Sequence, residues 1–269
     1  MMRARSWPRC RVRWRFDMHR NLTRVVVRRG PSSRVLSGCA LALTAACGRP
    51  ALAADWYTGA EAPGAQEAWI VSVDTSATVS SQGSQFAGAT ATAAPSGSLL
   101  ASGLRLRADT VIGSYRSGTG LGQQAEVAAL VGYGWVWPEA VLSAFVGLNL
   151  RRNEVPGLDT GARNAGGFKA AVDLYARPTP GTMVHATGTY SSTFNAYYGR
   201  LRGGVAVMGG FLGPEAALLG DDDYRQWRIG AHWSGFQFGA LQVGVAAGYL
   251  HDQTRKGGLY TTVDMRAGF

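Results

Sequence analysis

Three features of the sequence predict an all-β fold: a closed antiparallel transmembrane β-barrel of about twelve strands, with ten as the alternative count, following a cleaved signal peptide. Apolar residues recur at every second position through much of the chain, up to the terminal Phe269. Polar connections alternate between long and short. The positive charge is confined to one end, because residues 1–53 hold 12 Arg against Asp17 alone, whereas residues 54–269 hold 15 Lys and Arg against 16 Asp and Glu. The formal charge of +10 thus belongs to a leader, and the neutral body excludes nucleic acid as a partner.

The leader has the three parts of a secretory signal. From Met18, read as the true start, a basic stretch (Arg20, Arg24, Arg28, Arg29, Arg34) precedes an uncharged run at 35–48 and then Ala51-Leu52-Ala53. Cleavage is expected after Ala53. The run is shorter than the ~20 residues of a membrane-spanning helix. All three cysteines (Cys10, Cys39, Cys47) lie here, so the exported chain is expected to have neither disulfides nor thiolate metal sites. The organisation read from this is an Arg-rich leader and signal peptide at 1–53 and a single outer-membrane barrel domain at 54–269.

Glycine supplies 37 of the 269 residues, well above the usual ~7%, and each costs a helix about 1 kcal/mol. Alternation is the stronger signal. Ala140, Leu142, Ala144, Val146, Leu148 and Leu150 alternate with Val141, Ser143, Phe145, Gly147, Asn149 and Arg151. Phe168, Ala170, Val172, Leu174 and Ala176 oppose Lys169, Asp173 and Arg177; Ile229, Ala231 and Trp233 oppose Arg228, Gly230 and His232. Leu241, Val243, Val245, Ala247 and Tyr249 repeat the pattern, and Leu259, Thr261, Val263, Met265, Ala267 and Phe269 close it against Asp264 and Arg266. The uncharged stretch 229–250 invites comparison with a membrane helix, but its five glycines and a turn at Ser234-Gly235 read as two strands.

Longer polar connections are read at 80–85, 116–124, 152–166, 191–195, 220–223 and 251–258, with tighter ones near 94–98, 137–139, 177–181, 208–210 and 234–239. Six long and five short connections require twelve strands with both ends on the short-turn side, the plan of outer-membrane barrels. Boundaries are softest at 86–100 and 211–219, where the ten-strand count arises. Removing 53 of 269 residues leaves 216, or 18 for each of twelve strands with its connection, against roughly 10 for a tilted spanning strand. Closure follows because lipid offers an open sheet edge no hydrogen-bond partner. Tyr133, Trp135 and Trp137 share one face beside Pro138, where an interfacial girdle belongs. The terminal Phe269 reads as an insertion signal for the barrel assembly machinery.

Several segments together resemble the cellulose biosynthesis protein BcsS family of alphaproteobacteria: Ala54-Asp55-Trp56-Tyr57-Thr58-Gly59, Gly132-Tyr133-Gly134-Trp135-Val136, Asn195-Ala196-Tyr197-Tyr198-Gly199-Arg200-Leu201-Arg202 and Gly213-Pro214-Glu215-Ala216. The most specific block runs Leu219-Gly220-Asp221-Asp222-Asp223-Tyr224-Arg225-Gln226-Trp227-Arg228-Ile229-Gly230-Ala231-His232. The resemblance implies an outer-membrane barrel associated with cellulose production and export. It carries over no residue roles, and the loop at 152–166 matches least.

Chemistry is thin in the exported chain, with three histidines (His185, His232, His251) and two lysines (Lys169, Lys256). His232 shares a strand face with Ser234, which keeps a barrel-embedded lipid hydrolase as an alternative. Asp221-Asp222-Asp223 lacks the alternating ligands of a calcium loop and reads as a solvated loop or as partners of Arg225 and Arg228. The glycines of 116–122 lack a phosphate loop's Lys-Ser/Thr and read as a flexible loop. If the apolar face meets lipid, the lumen receives Arg105, Arg107 and Asp109, Lys169 and Asp173, Arg200 and Arg202, Glu215, Arg228, Asp264 and Arg266. Such charges should pair, either bracing the wall or lining a polar path. Tyr190, Tyr197 and Tyr198 are candidates for contact with a sugar ring.

The sequence thus reads as a non-enzymatic accessory barrel in the outer membrane of a Gram-negative bacterium, without cofactor or metal. Its partners are outer-membrane lipid and the barrel insertion machinery. The resemblance adds cellulose or other cellulose-export components. A small-solute porin, a barrel-embedded lipid hydrolase and a secreted soluble β-protein remain alternatives.

Overall fold

The structure, a computed structural model, describes residues 69–269 apart from 96, 118–119, 155–161 and 254–255. The leader, its cleavage site, the cysteines and the 54–59 segment lie outside the described residues.

Twelve strands form one closed ring: β1 Val71–Ser80, β2 Gln85–Ala93, β3 Gly103–Ser117, β4 Gly120–Trp137, β5 Ala140–Glu154, β6 Ala162–Thr179, β7 Thr182–Ser191, β8 Ala196–Val207, β9 Gly210–Gly220, β10 Arg225–Phe238, β11 Leu241–Asp252 and β12 Lys256–Gly268. Each pairs antiparallel with its sequence neighbours, and β1 pairs with β12 from Ser72↔Gly268 to Ser80↔Tyr260. Phe269 completes this seam with its backbone: its N–H donates to the Val71 carbonyl at 2.8 Å, and its own carbonyl accepts from Ile70 at 2.7 Å. Its ring is exposed on the outside.

The pleat sorts side chains by parity. In β5, Leu148 is 72% exposed and Leu150 65%, while Asn149 between them is 2% exposed. An apolar exterior around a polar interior inverts a soluble protein and excludes the soluble alternative. Aromatic side chains gather outside near both ends: Tyr133 and Trp135, with ring centroids 5.1 Å apart, and Trp137 at the end where β1 begins; Trp227 and Tyr249, 5.7 Å apart, at the other. These are interfacial girdles.

Two-residue turns at 138–139, 180–181, 208–209 and 239–240 mark the end where β1 begins and β12 finishes, which by the plan of such barrels faces the periplasm. At one of them Met208 and Gly209 both have positive φ, 49° and 78°, which matches the right-handed twist of the flanking strands.

Three connections differ from the sequence reading. The loop expected at 116–124 is almost absent, because β3 runs to Ser117 and β4 begins at Gly120. Gly122 serves the wall instead, since a Cβ there would stand 2.7 Å from the inward Tyr115 ring. The turn expected at Ser234-Gly235 is a β-bulge within β10, marked by the register shift between Trp233 and Phe236, and the chain reverses at 239–240. The tight connection expected near 94–98 extends over 94–102 and buries Ala94 and Leu99. Alternation cannot distinguish a bulge or a tucked segment from a turn, because all three interrupt the period.

Placing a cation among lipid tails tests the assignment of faces. Leu148→Arg should destabilise the barrel by about 2–4 kcal/mol in reversible unfolding from liposomes; an unchanged midpoint would mean that this face does not meet lipid.

Candidate functional site: the barrel lumen

The eleven charged residues proposed for the lumen all take inward positions. Most belong to two ladders. The first crosses β3, β4, β5 and β6: Arg107 Nε donates to Asp109 at 2.7 Å, Lys169 Nζ stands 3.0 Å from Asp109 and 2.6 Å from Glu126, and Arg151 lies 3.4 Å from Glu126. Asp173 continues it, 4.0 Å from Arg107 and 3.0 Å from His185 Nε2. The second ladder spans the interior from β8 to β12, four strands away around the ring. Asp264 accepts from Arg200 at 3.0 Å and from Arg202 at 2.7 Å, while Arg202 also pairs with Glu215. Tyr260 donates to Glu215 at 2.9 Å, and Arg266 pairs with Asp74 on β1.

Arg228 and Arg105 are held differently. Arg228 donates to Gln226 at 2.6 Å and to Thr78 at 3.3 Å, with its guanidinium 5.5 Å from the Tyr260 ring centre. Arg105 stands at the periplasmic end, where it donates to the carbonyls of Ser98 at 3.3 Å and Leu99 at 3.1 Å and also to that of Ala101. Three carbonyls on one guanidinium tuck the 94–102 segment into that mouth, with Leu99 lining the cavity within.

The opposite mouth is crossed by the connection between β9 and β10. Asp221 is buried and accepts from Arg151 at 2.7 Å and Asn153 at 3.2 Å, both on the far wall, and caps its own turn by accepting the N–H groups of Asp223 and Tyr224 at 2.9 Å. Tyr224 stacks on Tyr115 of β3, ring centroids 4.7 Å apart. Asp222 accepts from Asn195 at 2.9 Å, and Asp223 pairs with Arg163. The sequence reading of this acidic run was a solvated loop or a set of partners for Arg225 and Arg228. The chain turns inward here, so residues distant in sequence take their place.

Between the two mouths lies a cavity of about 400 Å³. Of the tyrosines considered for sugar contact, Tyr197 and Tyr198 both border the cavity, but the pleat turns the ring of Tyr198 inward beside Arg200 and that of Tyr197 outward with its cross-strand partner Tyr190, which is exposed on the outer face. The pleat explains the split: adjacent Tyr197 and Tyr198 must point to opposite sides.

The histidines are separated. His251 stacks on Trp227 outside, ring centroids 5.5 Å apart, and His185 joins Asp173. His232 is buried, with Nε2 3.1 Å from the Gly203 carbonyl and Nδ1 3.0 Å from Ser234 Oγ. A carbonyl only accepts, so Nε2 carries the proton and Nδ1 accepts from the serine. The ring reaches across β9 to Gly204 of β8, where a Cβ would stand 3.3 Å from it, and braces β10 against β8. Ser234 faces the cavity, away from lipid. Among the described residues no group of three His, Cys, Asp or Glu converges on a metal position.

Sequence reasoning missed Glu126, Arg151 and Asp221, which link the ladders to the outer mouth. Parity on β4 and β5 would have exposed the first two. Asp221 lies outside the strands, and no periodic signal reaches it.

A closed antiparallel barrel with an apolar belt, two aromatic girdles and a charged, hydrogen-bonded interior is an outer-membrane β-barrel protein. The family is narrower: the sequence model described as cellulose biosynthesis protein BcsS matches residues 71–269, and the chain belongs to that family. Solved structures similar to it include a KdgM porin (11% identity, 74% of this chain and 99% of that one, TM-score 0.45) and the KdgM porin in complex with disordered oligogalacturonate (10%, 74% and 99%, 0.43). The β domain of the Bordetella autotransporter BrkA is similar at 14% identity (76% and 100%, 0.42). No curated protein sequence matches the chain.

Two consequences are measurable. Asp264→Ala removes the carboxylate that Arg200 pairs with and one of the two held by Arg202, and should cost about 3–5 kcal/mol in reversible unfolding. The double change Asp221→Ala with Tyr224→Ala removes the bar across the outer mouth and should raise single-channel conductance in planar bilayers several-fold; equal conductance in wild type and variant would show that the bar obstructs nothing.

Proposed function

We propose that this chain is a non-enzymatic accessory of cellulose biosynthesis or export, in which the lumen or the external loops contact the polymer or other export components. The observation that carries this reading is the family match, which spans the whole described barrel from the first strand to the terminal phenylalanine. The interior supports it. Most of its charges are spent on one another, as suits a braced scaffold, and both mouths are narrowed by side chains and tucked backbone, which speaks against a wide solute porin.

A second reading rests on the Ser234–His232 pair, whose tautomer suits a serine activated by a base. Its place inside the lumen supports a bracing role over lipid hydrolysis, because acyl chains lie outside the wall.

Deleting the gene should lower the amount or surface display of β-glucan, seen by staining, and restoring it should recover both. Unchanged cellulose in the deletion strain would sink the accessory role. The hydrolase reading requires His232→Ala to abolish a lipid modification that the wild type performs.

A further inference from the structure

Two strips of the inner wall carry hydroxyls interleaved with paired charges, Thr90 facing Asp74 across the strands and Thr187 lying between Asp173 and Arg200. One strip is formed by Ser76 on β1 with Thr90 and Thr92 on β2; the other is formed by Thr187 and Thr189 on β7 with Tyr198 on β8. In a ring of twelve, β1 and β7 stand diametrically opposed. All six residues line the 400 Å³ cavity, and Tyr198 is the direct cross-strand partner of Thr189. The volume falls within the ~300–1,000 Å³ of ordinary small-ligand sites.

We infer that this cavity is a binding site for a short, neutral, polyhydroxylated chain lying between the two hydroxyl strips, with Tyr198 against the apolar face of a sugar ring. The charge distribution selects the class. The ladder charges already hold each other, Arg105 is engaged by three carbonyls, and Arg228 by Gln226, Thr78 and the Tyr260 ring, so an ionic ligand gains a partner only by taking a group out of an existing contact. A neutral hydroxyl disturbs no pair. Threonine and serine hydroxyls donate and accept alike, and so match a ligand whose own groups do both. The paired carboxylates add acceptor capacity, as Asp109 does in taking a bond from Thr90 at 2.9 Å while it pairs with Arg107. The ring of Tyr198 adds the apolar surface that a pyranose presents above and below its hydroxyls. That the chain is β-linked glucose rests on the function proposed above; that it is neutral and polyhydroxylated rests on the wall alone.

The probe is cellotriose, titrated by calorimetry into the folded barrel in a detergent without a sugar headgroup, with trigalacturonic acid as an acidic oligomer of equal length. Cellotriose should bind and the acid should bind far more weakly. The double variant Thr187→Val with Thr189→Val keeps the side-chain shape, and its fold is checked by heat-modifiable migration on gels. Losing two hydroxyl contacts at roughly 0.5–1.5 kcal/mol each should weaken cellotriose roughly tenfold or more. Absence of cellotriose binding, or binding of the acid at equal strength, overturns the site. No binding in a protein whose deletion does lower cellulose overturns the site and leaves the accessory role standing. Binding by a protein whose deletion leaves cellulose unchanged supports the site and overturns the role.

Discussion

Every feature of this molecule answers to one constraint: a backbone polar group facing hydrocarbon has no water to bond. An open sheet edge in lipid forfeits several kcal/mol for each unpaired group, so the first and last strands must meet. The seam from Ser72↔Gly268 to Ser80↔Tyr260, completed by the backbone of Phe269, satisfies that demand. Closure then dictates the side chains. Each strand has one face in lipid and one in the enclosed lumen, and the pleat alternates them without exception wherever the register is regular.

The interior inherits a second problem from the first. Polar residues that cannot face lipid are collected in a narrow space, and charges brought together there must neutralise one another. Lys169 between Asp109 and Glu126, and Asp264 between Arg200 and Arg202, are such solutions. They tie strands that are not neighbours in the sheet, so they stiffen the cylinder across its section as backbone pairing alone does not. What remains uncharged on the inner wall is available for a ligand. The bars at the two mouths, Arg105 on the 94–102 carbonyls and Asp221 on Arg151, lie at either end of it.

Much of this was legible in the order of residues. Alternation from Leu259 to Phe269 marked the last strand and its lipid face, and the same parity sent Lys169, Asp173, Arg200 and Arg202 inward. It worked because side-chain direction in a strand depends only on odd or even position. It failed where the chain departs from that period. The bulge at Ser234-Gly235 resembled a turn, the glycines around Gly122 resembled a loop although Gly122 clears space for Tyr115, and the acidic run at 221–223 was read as a solvated loop or as partners of neighbouring arginines. Tyr190, Tyr197 and Tyr198 were grouped by type, whereas parity alone separates Tyr198 from the other two.

The sequence by itself determined the class of the protein, the number of strands and which side of the wall each regular residue faces, because those are local properties written in a period of two. Only the tertiary structure decided which inward charges meet, that Asp221 reaches Arg151 across the mouth, and that His232 is engaged by Ser234 and the Gly203 carbonyl. Those contacts join positions dozens of residues apart, and they depend on curvature and ring closure, which no local pattern encodes.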